Sequence, residues 1–166
     1  REALKMTILD SVKFDHDDRT DLLTGAEAQI NFYRHLLRAM AVRKRNGGAL
    51  FIITVQVIST TKIYKKESMA RKEQVRKFEE EIKRVSTRIK RNLRAQDFYT
   101  RMAVDGFYIL ITGERGEEEK LTERFKRLFA DRALYRVLAF KLIGDDSPTE
   151  WLSEVDSHYF TPHKSK

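Results

Sequence analysis

The chain has 166 residues, enough for one hydrophobic core without crosslinks, and no cysteine, which excludes disulfides and cysteine-based zinc sites. Its 33 Lys and Arg residues against 25 Asp and Glu residues give a formal net charge of +8, which favours anionic partners such as nucleotides, nucleic acids and acidic proteins. The longest apolar run, ALFIITVQVI, is too short to cross a bilayer, so we expect no membrane span.

The N-terminal region ends in the polar stretch DHDDRT. We expect residues 1–18 to form a linker or signalling helix, residues 19–161 to form one domain, and residues 162–166 to form a tail. Because the chain begins with Arg and shows no signal peptide, we expect it to be a fragment of a larger cytoplasmic protein with further domains upstream.

Helix-like and strand-like patterns alternate along the rest of the chain. Apolar residues spaced by three and four predict helices, and β-branched or alternating runs predict strands. The predicted elements, in chain order, are a helix over 25–45, a strand over 49–58, a long helix over 66–93, strands over 98–102 and 107–112, a helix over 117–130, a strand over 134–143 and a final helix. Ser147 as N-cap, Pro148 at the first position and Glu150 in a capping box mark the start of that last helix. This order predicts an α+β domain with one antiparallel or mixed sheet covered by helices.

The two adjacent strands are predicted to form a hairpin with a turn over residues 103–106. Asp105 and Gly106 make up a common turn dipeptide because both residues tolerate positive φ. Three charged residues stand at the start of this hairpin: Arg94 and Asp97 precede its first strand, and Arg101 lies within that strand. A buried hairpin does not need these charges, so they call for a further explanation.

The order and spacing of these features resemble the GGDEF domain of diguanylate cyclases. The resemblance runs from about Asp21, in the segment DLLTG that opens the domain, to Phe160. Its most specific part is a register: the family carries an Arg-x-x-Asp motif five residues ahead of its signature pentapeptide, and here Arg94 and Asp97 stand five residues ahead of AVDGF at 103–107. The resemblance implies a GGDEF-type fold, with a central, mostly antiparallel, five-stranded sheet flanked by helices.

The signature pentapeptide itself is degenerate. Its residues here are Ala103, Val104, Asp105, Gly106 and Phe107. Alanine and valine replace the two glycines that let the backbone approach a nucleotide, and glycine replaces the glutamate, so Asp105 is the one acidic residue kept.

Other positions that serve the family's reaction have also changed. Where the family has an Asp-x-Asp pair for divalent metal, this chain has Thr54 and Gln56, and Lys62 stands in place of the asparagine that reads guanine. Family enzymes join two GTP molecules into cyclic di-GMP, and metal-bound carboxylates neutralise the developing phosphate charge. The resemblance therefore implies a domain that is not an enzyme, with no catalytic residues, no metal and no cofactor.

The Arg-x-x-Asp motif, in contrast, is kept, and in the family it is the inhibitory site that binds cyclic di-GMP. An arginine fork can grip a phosphate or the O6/N7 edge of guanine, and a carboxylate can accept from the base's N1–H and amino groups. The predicted ligand residues are Arg94, Asp97, Arg101 and Arg124. The resemblance thus implies a bacterial receptor for cyclic di-GMP that relays second-messenger level to a protein partner and can form a homodimer through bridging ligand.

Two other functions are alternatives to the receptor. The first is a protein-interaction scaffold that keeps the fold but binds no ligand. The second is an RNA-binding module, since the α+β order, the basic charge and the segment DGFYILI resemble an RNA-recognition domain. That second alternative requires aromatic side chains on an open sheet face, whereas no such face is evident in the sequence. We therefore expect no nucleic-acid polymer as partner.

Overall fold

The computed structural model describes residues 8–58, 70–114 and 117–161. Residues 8–11 are helical, and the elements that follow are α1 (Gln29–Asn46), β1 (Ala49–Val57), α2 (Arg71–Arg91), β2 (Phe98–Ala103), β3 (Gly106–Gly113), α3 (Glu118–Leu128), β4 (Tyr135–Lys141) and α4 (Pro148–Tyr159). The predicted kinds and order of these elements are confirmed. Helix α1 begins four residues later than expected because Gly25, at φ 75°, and its neighbours form a turn instead. The expected start of α2 at Lys66 lies outside the described residues.

The strands form one antiparallel sheet in the order β2-β3-β1-β4. Strand β1 lies in the centre, where its residues pair with β3 on one side and with β4 on the other. The α+β class and the antiparallel arrangement are confirmed, although the described residues supply four strands to the sheet and not five. The register places Ala49 opposite Gly113 at one end of the sheet and Gln56 opposite Gly106 at the other.

Both faces of the sheet are covered by helices. Side chains of Phe51, Ile53 and Val55 point to a core shared with α2 and α3, and those of Leu50 and Ile52 point to a core shared with α1 and α4. This double burial explains why β1 is a nearly continuous apolar run, although antiparallel strands more often alternate. It also removes the open stacking face that the RNA-binding alternative requires, since Tyr108 and Leu110 of β3 are fully buried.

Local chemistry explains where the helices begin and end. Helix α4 has the predicted capping box, in which the Ser147 hydroxyl accepts from the Glu150 backbone and the Glu150 carboxylate accepts from the Ser147 backbone. Helix α1 ends at Gly47, whose φ of 75° is readily adopted only by glycine. No helix within the described residues is long and apolar enough to cross a membrane.

The segment before α1 packs onto the domain. Ile8 and Val12 are buried in the core beneath α2. Backbone bridges connect Thr20 to Glu27 and Glu27 to Thr100, so this segment also covers the free edge of β2. The side chain of Arg101, on β2, also donates hydrogen bonds to this segment.

The Arg101 side chain is fully buried and binds four groups. Its Nη1 donates to the Lys13 carbonyl at 2.6 Å and to Asp21 Oδ1 at 3.3 Å, and its Nη2 donates to the Val104 carbonyl at 2.8 Å. Its guanidinium carbon lies 4.9 Å from the centre of the Phe14 ring. One guanidinium thus ties the N-terminal segment to the turn between β2 and β3.

Replacing this arginine is expected to destabilise the fold. In Arg101→Met the buried carboxylate of Asp21 loses its cationic partner and the carbonyl oxygens of Lys13 and Val104 lose a donor, so we expect the free energy of unfolding to fall by about 3 kcal/mol. Urea denaturation measures this loss. The matched control is Arg34→Met on the exposed surface of α1, which is expected to change stability by less than about 0.5 kcal/mol. A loss below about 1 kcal/mol in Arg101→Met would contradict the role of this clamp.

Candidate functional site

A cleft of about 890 Å³ opens at the end of the sheet where β1 begins and β3 ends. It lies between the second half of α1, the turn at 47–48, the segment between α2 and β2, and the end of β3. Its charged and aromatic lining residues are His35, Arg38, Arg43, Arg94, Phe98, Glu114 and Glu117. The cleft therefore has a basic wall on α1, two acidic residues just before α3, and Arg94, which lies near the second of them.

Arg94 and Asp97 lie in the turn that follows α2, and not in the helix itself. The helix ends at Arg91, where the Asn92 side chain donates to the Arg88 carbonyl at 2.8 Å. The turn is closed by the Asp97 backbone N–H, which donates to the Arg94 carbonyl at 3.0 Å. This geometry brings the two side chains together three residues apart and starts β2 at Phe98.

The Arg94 and Asp97 side chains form a two-pronged ion pair. Arg94 Nε donates to Asp97 Oδ2 and Nη2 donates to Oδ1, each at 3.1 Å, and the Arg94 backbone N–H donates to Oδ2 at 2.9 Å. Nη2 also donates to the Thr112 carbonyl on β3. The hydrogen bond to Asp97 raises the pKa of the Arg94 guanidinium, which stays protonated.

The two members of this pair differ in their access to a ligand. The Asp97 side chain is 1% exposed, and three donors already bind its oxygens. The Arg94 side chain is 29% exposed, and its Nη1 lies 3.8 Å from a carboxylate oxygen of Glu117. In this arrangement Arg94 lines the cleft, and its two side-chain hydrogen bonds to the buried Asp97 fix the orientation of the guanidinium.

Arg124 lies close to the motif but is engaged elsewhere. Its Nη2 donates to the carbonyl of Asn92, two residues before Arg94, and its guanidinium carbon lies 5.4 Å from the centre of the Phe125 ring. The side chain does not line the cleft. It caps the end of α2 from α3.

The structure does not bring Arg101 to this site. Arg101 pairs with Phe107 in the hairpin, whereas Arg94 reaches Thr112, so the two arginines contact opposite ends of β3. Arg101 points into the interior toward Asp21. The expectation that it lines the ligand site beside Arg94 is wrong, because a fully buried guanidinium with four partners has no surface left for a ligand.

Sequence reasoning missed the residues that α1 contributes. His35 stacks on Phe98 with ring centres 3.5 Å apart and planes 9° from parallel, and its Nε2 lies 3.0 Å from Glu27. Arg43 donates to the carbonyls of Gly144 and Leu142 at 3.2 and 3.4 Å. The sequence does show that α1 contains no acidic residue, which indicates a basic helix. It does not show which face of that helix borders the cleft.

The segment AVDGF at 103–107, which was compared above with the family's signature, lies at the opposite end of the sheet. Asp105 Oδ2 accepts from Gln56 Nε2 at 2.9 Å, and Oδ1 accepts from the Tyr159 hydroxyl at 2.8 Å. The Asp105 carbonyl accepts from the Val57 backbone at 2.9 Å, which joins the turn to β1. Beside these groups the Tyr108 hydroxyl donates to Asp156 Oδ1 at 2.6 Å. Both side-chain oxygens of Asp105, the acidic residue of this segment, are therefore bound within the protein.

Gly106 is required at this turn for a reason other than the expected one. The turn residues are Val104 and Asp105, and Gly106 is already the first residue of β3, with no positive φ. A Cβ at Gly106 would lie 2.1 Å from the Tyr159 hydroxyl oxygen and 2.6 Å from the Val55 carbonyl oxygen. The expectation of a positive-φ turn dipeptide is wrong, and glycine is needed because α4 and β1 approach too closely for a side chain.

The groups at this end do not fit a divalent metal. Thr54 is buried with no partner for its hydroxyl among the described residues, and Gln56 offers a neutral amide. A metal site for phosphate chemistry needs several oxygen ligands that include carboxylates, whereas the one carboxylate of this cluster that faces Gln56 already has two donors. No group of three His, Cys, Asp or Glu side chains in the described parts of the chain is placed to hold an ion. Lys62 lies outside the described residues.

Comparisons with known proteins identify the fold. Neither protein-family models nor curated proteins match the chain. Among solved structures, a sensory box/GGDEF family protein from Caulobacter crescentus CB15 is 13% identical, with a TM-score of 0.67 over 84% of this chain and 94% of that one. A microbial GGDEF domain studied with cyclic di-GMP is 17% identical, with a TM-score of 0.66 over 84% and 86%. The diguanylate cyclase SiaD from Pseudomonas aeruginosa, in complex with its activator SiaC, is 13% identical, with a TM-score of 0.65 over 94% and 60%. The chain therefore has the fold of GGDEF domains.

The close approach at Gly106 generates a test of the signature end. We expect Gly106→Ala to lower the free energy of unfolding by about 2 kcal/mol, because the new methyl group forces Tyr159 and β1 apart. Thermal and urea denaturation measure the change. The control is Gly113→Ala, at the other end of β3, where a Cβ would make ordinary contact at 3.5 Å with Leu121. Equal effects of the two substitutions would contradict the explanation.

The buried tyrosine at this end predicts a pH dependence. Burial, followed by the hydrogen bond to Asp156, raises the pKa of the Tyr108 hydroxyl above its ordinary value of about 10. Its neutral form therefore stabilises the fold fully below pH 10, and this contribution is lost as the pH rises from there toward the folded pKa. We expect Tyr108→Phe to be less stable than wild type by about 1 to 2 kcal/mol at pH 7, and the difference to shrink by about 1 kcal/mol at pH 11. Urea denaturation at both pH values measures it, and a constant or growing difference would contradict the assignment.

Proposed function

We propose that this chain is a catalytically inactive GGDEF-type domain that binds cyclic di-GMP in the cleft beside Arg94 and relays the level of this messenger to a protein partner. The observation that carries the proposal is the geometry of Arg94. Its guanidinium is fixed by Asp97 and borders a cleft that two further arginines, Arg38 and Arg43, also line. The ligand is not a cofactor, because it is sensed and not used in a reaction.

The chemistry of the cleft suits a cyclic dinucleotide. Cyclic di-GMP offers two anionic phosphates and two guanine edges, and a guanidinium can bind either kind of group with two parallel hydrogen bonds. Asp97 lowers the cost of ordering the Arg94 side chain, since the side chain is already held before ligand arrives. The cleft volume of about 890 Å³ falls in the range of small-molecule sites.

The roles of the four predicted ligand residues differ in this proposal. Arg94 contacts the ligand directly. Asp97 positions Arg94, and Arg124 acts indirectly by capping the end of α2 just before the motif. Arg101 takes no part in binding, because it belongs to the interior.

The proposal of inactivity is supported at the other end of the sheet. Both carboxylate oxygens of Asp105 already accept hydrogen bonds, from Gln56 and Tyr159, and the Tyr159 hydroxyl occupies the space that a side chain at position 106 would need. A reaction between two nucleoside triphosphates needs cations held by carboxylates to balance the phosphate charge. The residues present here offer hydroxyl and amide groups in those positions.

The similar solved structures support the ligand class and the idea of a partner by analogy of fold. One is a GGDEF domain studied together with cyclic di-GMP, and another is a cyclase bound to an activator protein. The analogy does not identify the partner of this chain. A homodimer bridged by ligand is compatible with the open cleft.

Isothermal titration calorimetry of cyclic di-GMP into the domain tests the proposal. We expect a Kd in the micromolar range or tighter, equivalent to about 8 kcal/mol or more. Arg94→Ala is expected to abolish binding because it removes the donor that faces the cleft. Asp97→Asn is expected to weaken binding by about tenfold, since the guanidinium loses its charged support. The control is Arg91→Ala, an exposed arginine of the same helix end that does not line the cleft.

Two outcomes would contradict the proposal. Absence of heat with a folded wild-type domain at high ligand concentration would leave the ligand-independent scaffold as the better account. Formation of cyclic di-GMP from GTP and Mg²⁺, measured by chromatography, would contradict the proposed inactivity. It would not affect the proposed binding of cyclic di-GMP, which the titration tests separately.

A further inference from the structure

Helix α1 has an apolar stripe on the side that faces away from the sheet. Its buried residues, Phe32 and Leu36, pack against the sheet, whereas Ile30 and Leu37 are 53% and 42% exposed. Ile30 and Leu37 are seven positions apart, so they lie about two turns apart on the same side of the helix. Single exposed apolar residues are common, but two large ones aligned on one helix form a surface that gains free energy when it is covered.

The stripe has the spacing of a helix–helix seam. At intervals of three and four residues it contains Ile30, Tyr33, Leu37, Met40 and Lys44, which correspond to the a and d positions of a heptad repeat. Tyr33 and Met40 are partly buried against the core that α1 shares with α4, and Ile30 and Leu37 are exposed beside them. A seam this narrow is covered by one helix, whereas a helix that lies in a membrane surface needs a wider apolar face. The spacing therefore favours a second helix over a lipid bilayer as the occupant.

The charges beside the stripe are all positive. Helix α1 contains no acidic residue, and Arg34, Lys44 and Arg45 are exposed. In the part of the chain that the structure describes, Lys44 and Arg45 have no hydrogen-bond or ion-pair partner, and Arg34 bonds to the neutral Asn31 of its own helix at 3.5 Å. A second copy of this chain would bring like charges together along the seam, which is unfavourable, whereas an acidic helix would pair with them.

The outer face of α1 consists of Ile30, Arg34, Leu37, Lys44 and Arg45. We propose that this face binds an acidic amphipathic helix of a partner protein. Apolar side chains of the partner cover the stripe, and its aspartate or glutamate side chains pair with the basic residues beside it. The inference deepens the proposed function and rests on it, because it gives the protein partner of the relay a place and a chemistry. Other residues of the same helix border the ligand cleft, so one helix contacts both ligand and partner.

Two synthetic helical peptides test the inference, in titrations followed by fluorescence anisotropy and without cyclic di-GMP. Both carry leucine at the a and d positions; one carries glutamate and the other lysine at the e and g positions. The domain is expected to bind the glutamate peptide with a Kd below about 100 µM, and the lysine peptide at least about tenfold more weakly, because like charges meet beside the seam. Added NaCl is expected to weaken binding of the glutamate peptide.

Variants of the domain locate the surface that the peptide binds. The double substitution Ile30→Ser and Leu37→Ser is expected to raise the Kd for the glutamate peptide by at least about tenfold, since it removes both exposed apolar contacts. The matched control is Ile143→Ser, at a residue that is 74% exposed in the loop after β4, and it is expected to change the Kd by less than about twofold. Arg34→Glu is expected to weaken binding of the glutamate peptide and to strengthen binding of the lysine peptide.

Other occupants of the outer face are outcomes of the same set of experiments. Binding to vesicles of phosphatidylcholine and phosphatidylglycerol that is lost in the double serine variant would replace the partner helix by a lipid surface. A dimer in sedimentation equilibrium that the same variant dissociates would replace it by a second copy of this chain. Either result would overturn the inference, and so would equal affinities for the two peptides or no binding of the glutamate peptide.

Failure of this inference is distinguishable from failure of the proposed function. Arg94→Ala, which is expected to abolish binding of cyclic di-GMP, lies outside the outer face and is expected to change the Kd for the glutamate peptide by less than about twofold. Loss of peptide binding in a domain that binds cyclic di-GMP overturns the docking surface and leaves the receptor. Peptide binding by a domain that does not bind cyclic di-GMP overturns the receptor and leaves the surface.

Discussion

The burial of both faces of one antiparallel sheet is the constraint on which the rest of this structure depends. Strand β1 must present apolar side chains in both directions, so helices are required on each face, and their packing determines which loops meet at the two ends of the sheet. One end gathers the start of β1, the end of β3 and the turn before β2. The other gathers the end of β1 and the turn between β2 and β3. The two candidate sites of the fold are thereby kept apart.

The two ends have opposite chemical character. At the signature end, Gln56 and Tyr159 provide hydrogen bonds to Asp105, and contact between α4, β1 and Gly106 leaves no room for a side chain. The carboxylates of Asp105 and Asp156 there accept hydrogen bonds from Gln56, Tyr159 and Tyr108. At the cleft end, Arg94 and Arg38 border open space; Arg94 uses only part of its donor capacity inside the protein, and Arg38 uses none of it among the described residues. Unused donors around open space favour ligand binding, whereas satisfied donors in a packed cluster favour stability.

Three arginines of this chain show how burial decides the role of a charge. Arg101 is enclosed, and its four partners make it a connector between the N-terminal segment and the signature turn. Arg94 is half enclosed, so Asp97 can orient it while one edge stays accessible. Arg38 is exposed and forms no hydrogen bond within the part of the chain that the structure describes. Arg101 thus contacts both the N-terminal segment, at Lys13 and Asp21, and the turn at Val104.

The sequence alone determined the order of helices and strands, the α+β class, the capping box of α4 and the position of the Arg94–Asp97 pair, because periodicity, caps and turns depend on residues close together in the chain. It placed Arg101 in the ligand site and gave Gly106 a positive φ, and both were wrong. Only the tertiary structure decided that Arg101 points inward, that Tyr159 closes over Gly106, and that His35 and Arg38 border the cleft. These features arise where residues distant in sequence meet. Which faces meet is decided by the packing of whole helices on the sheet, and no local pattern records it.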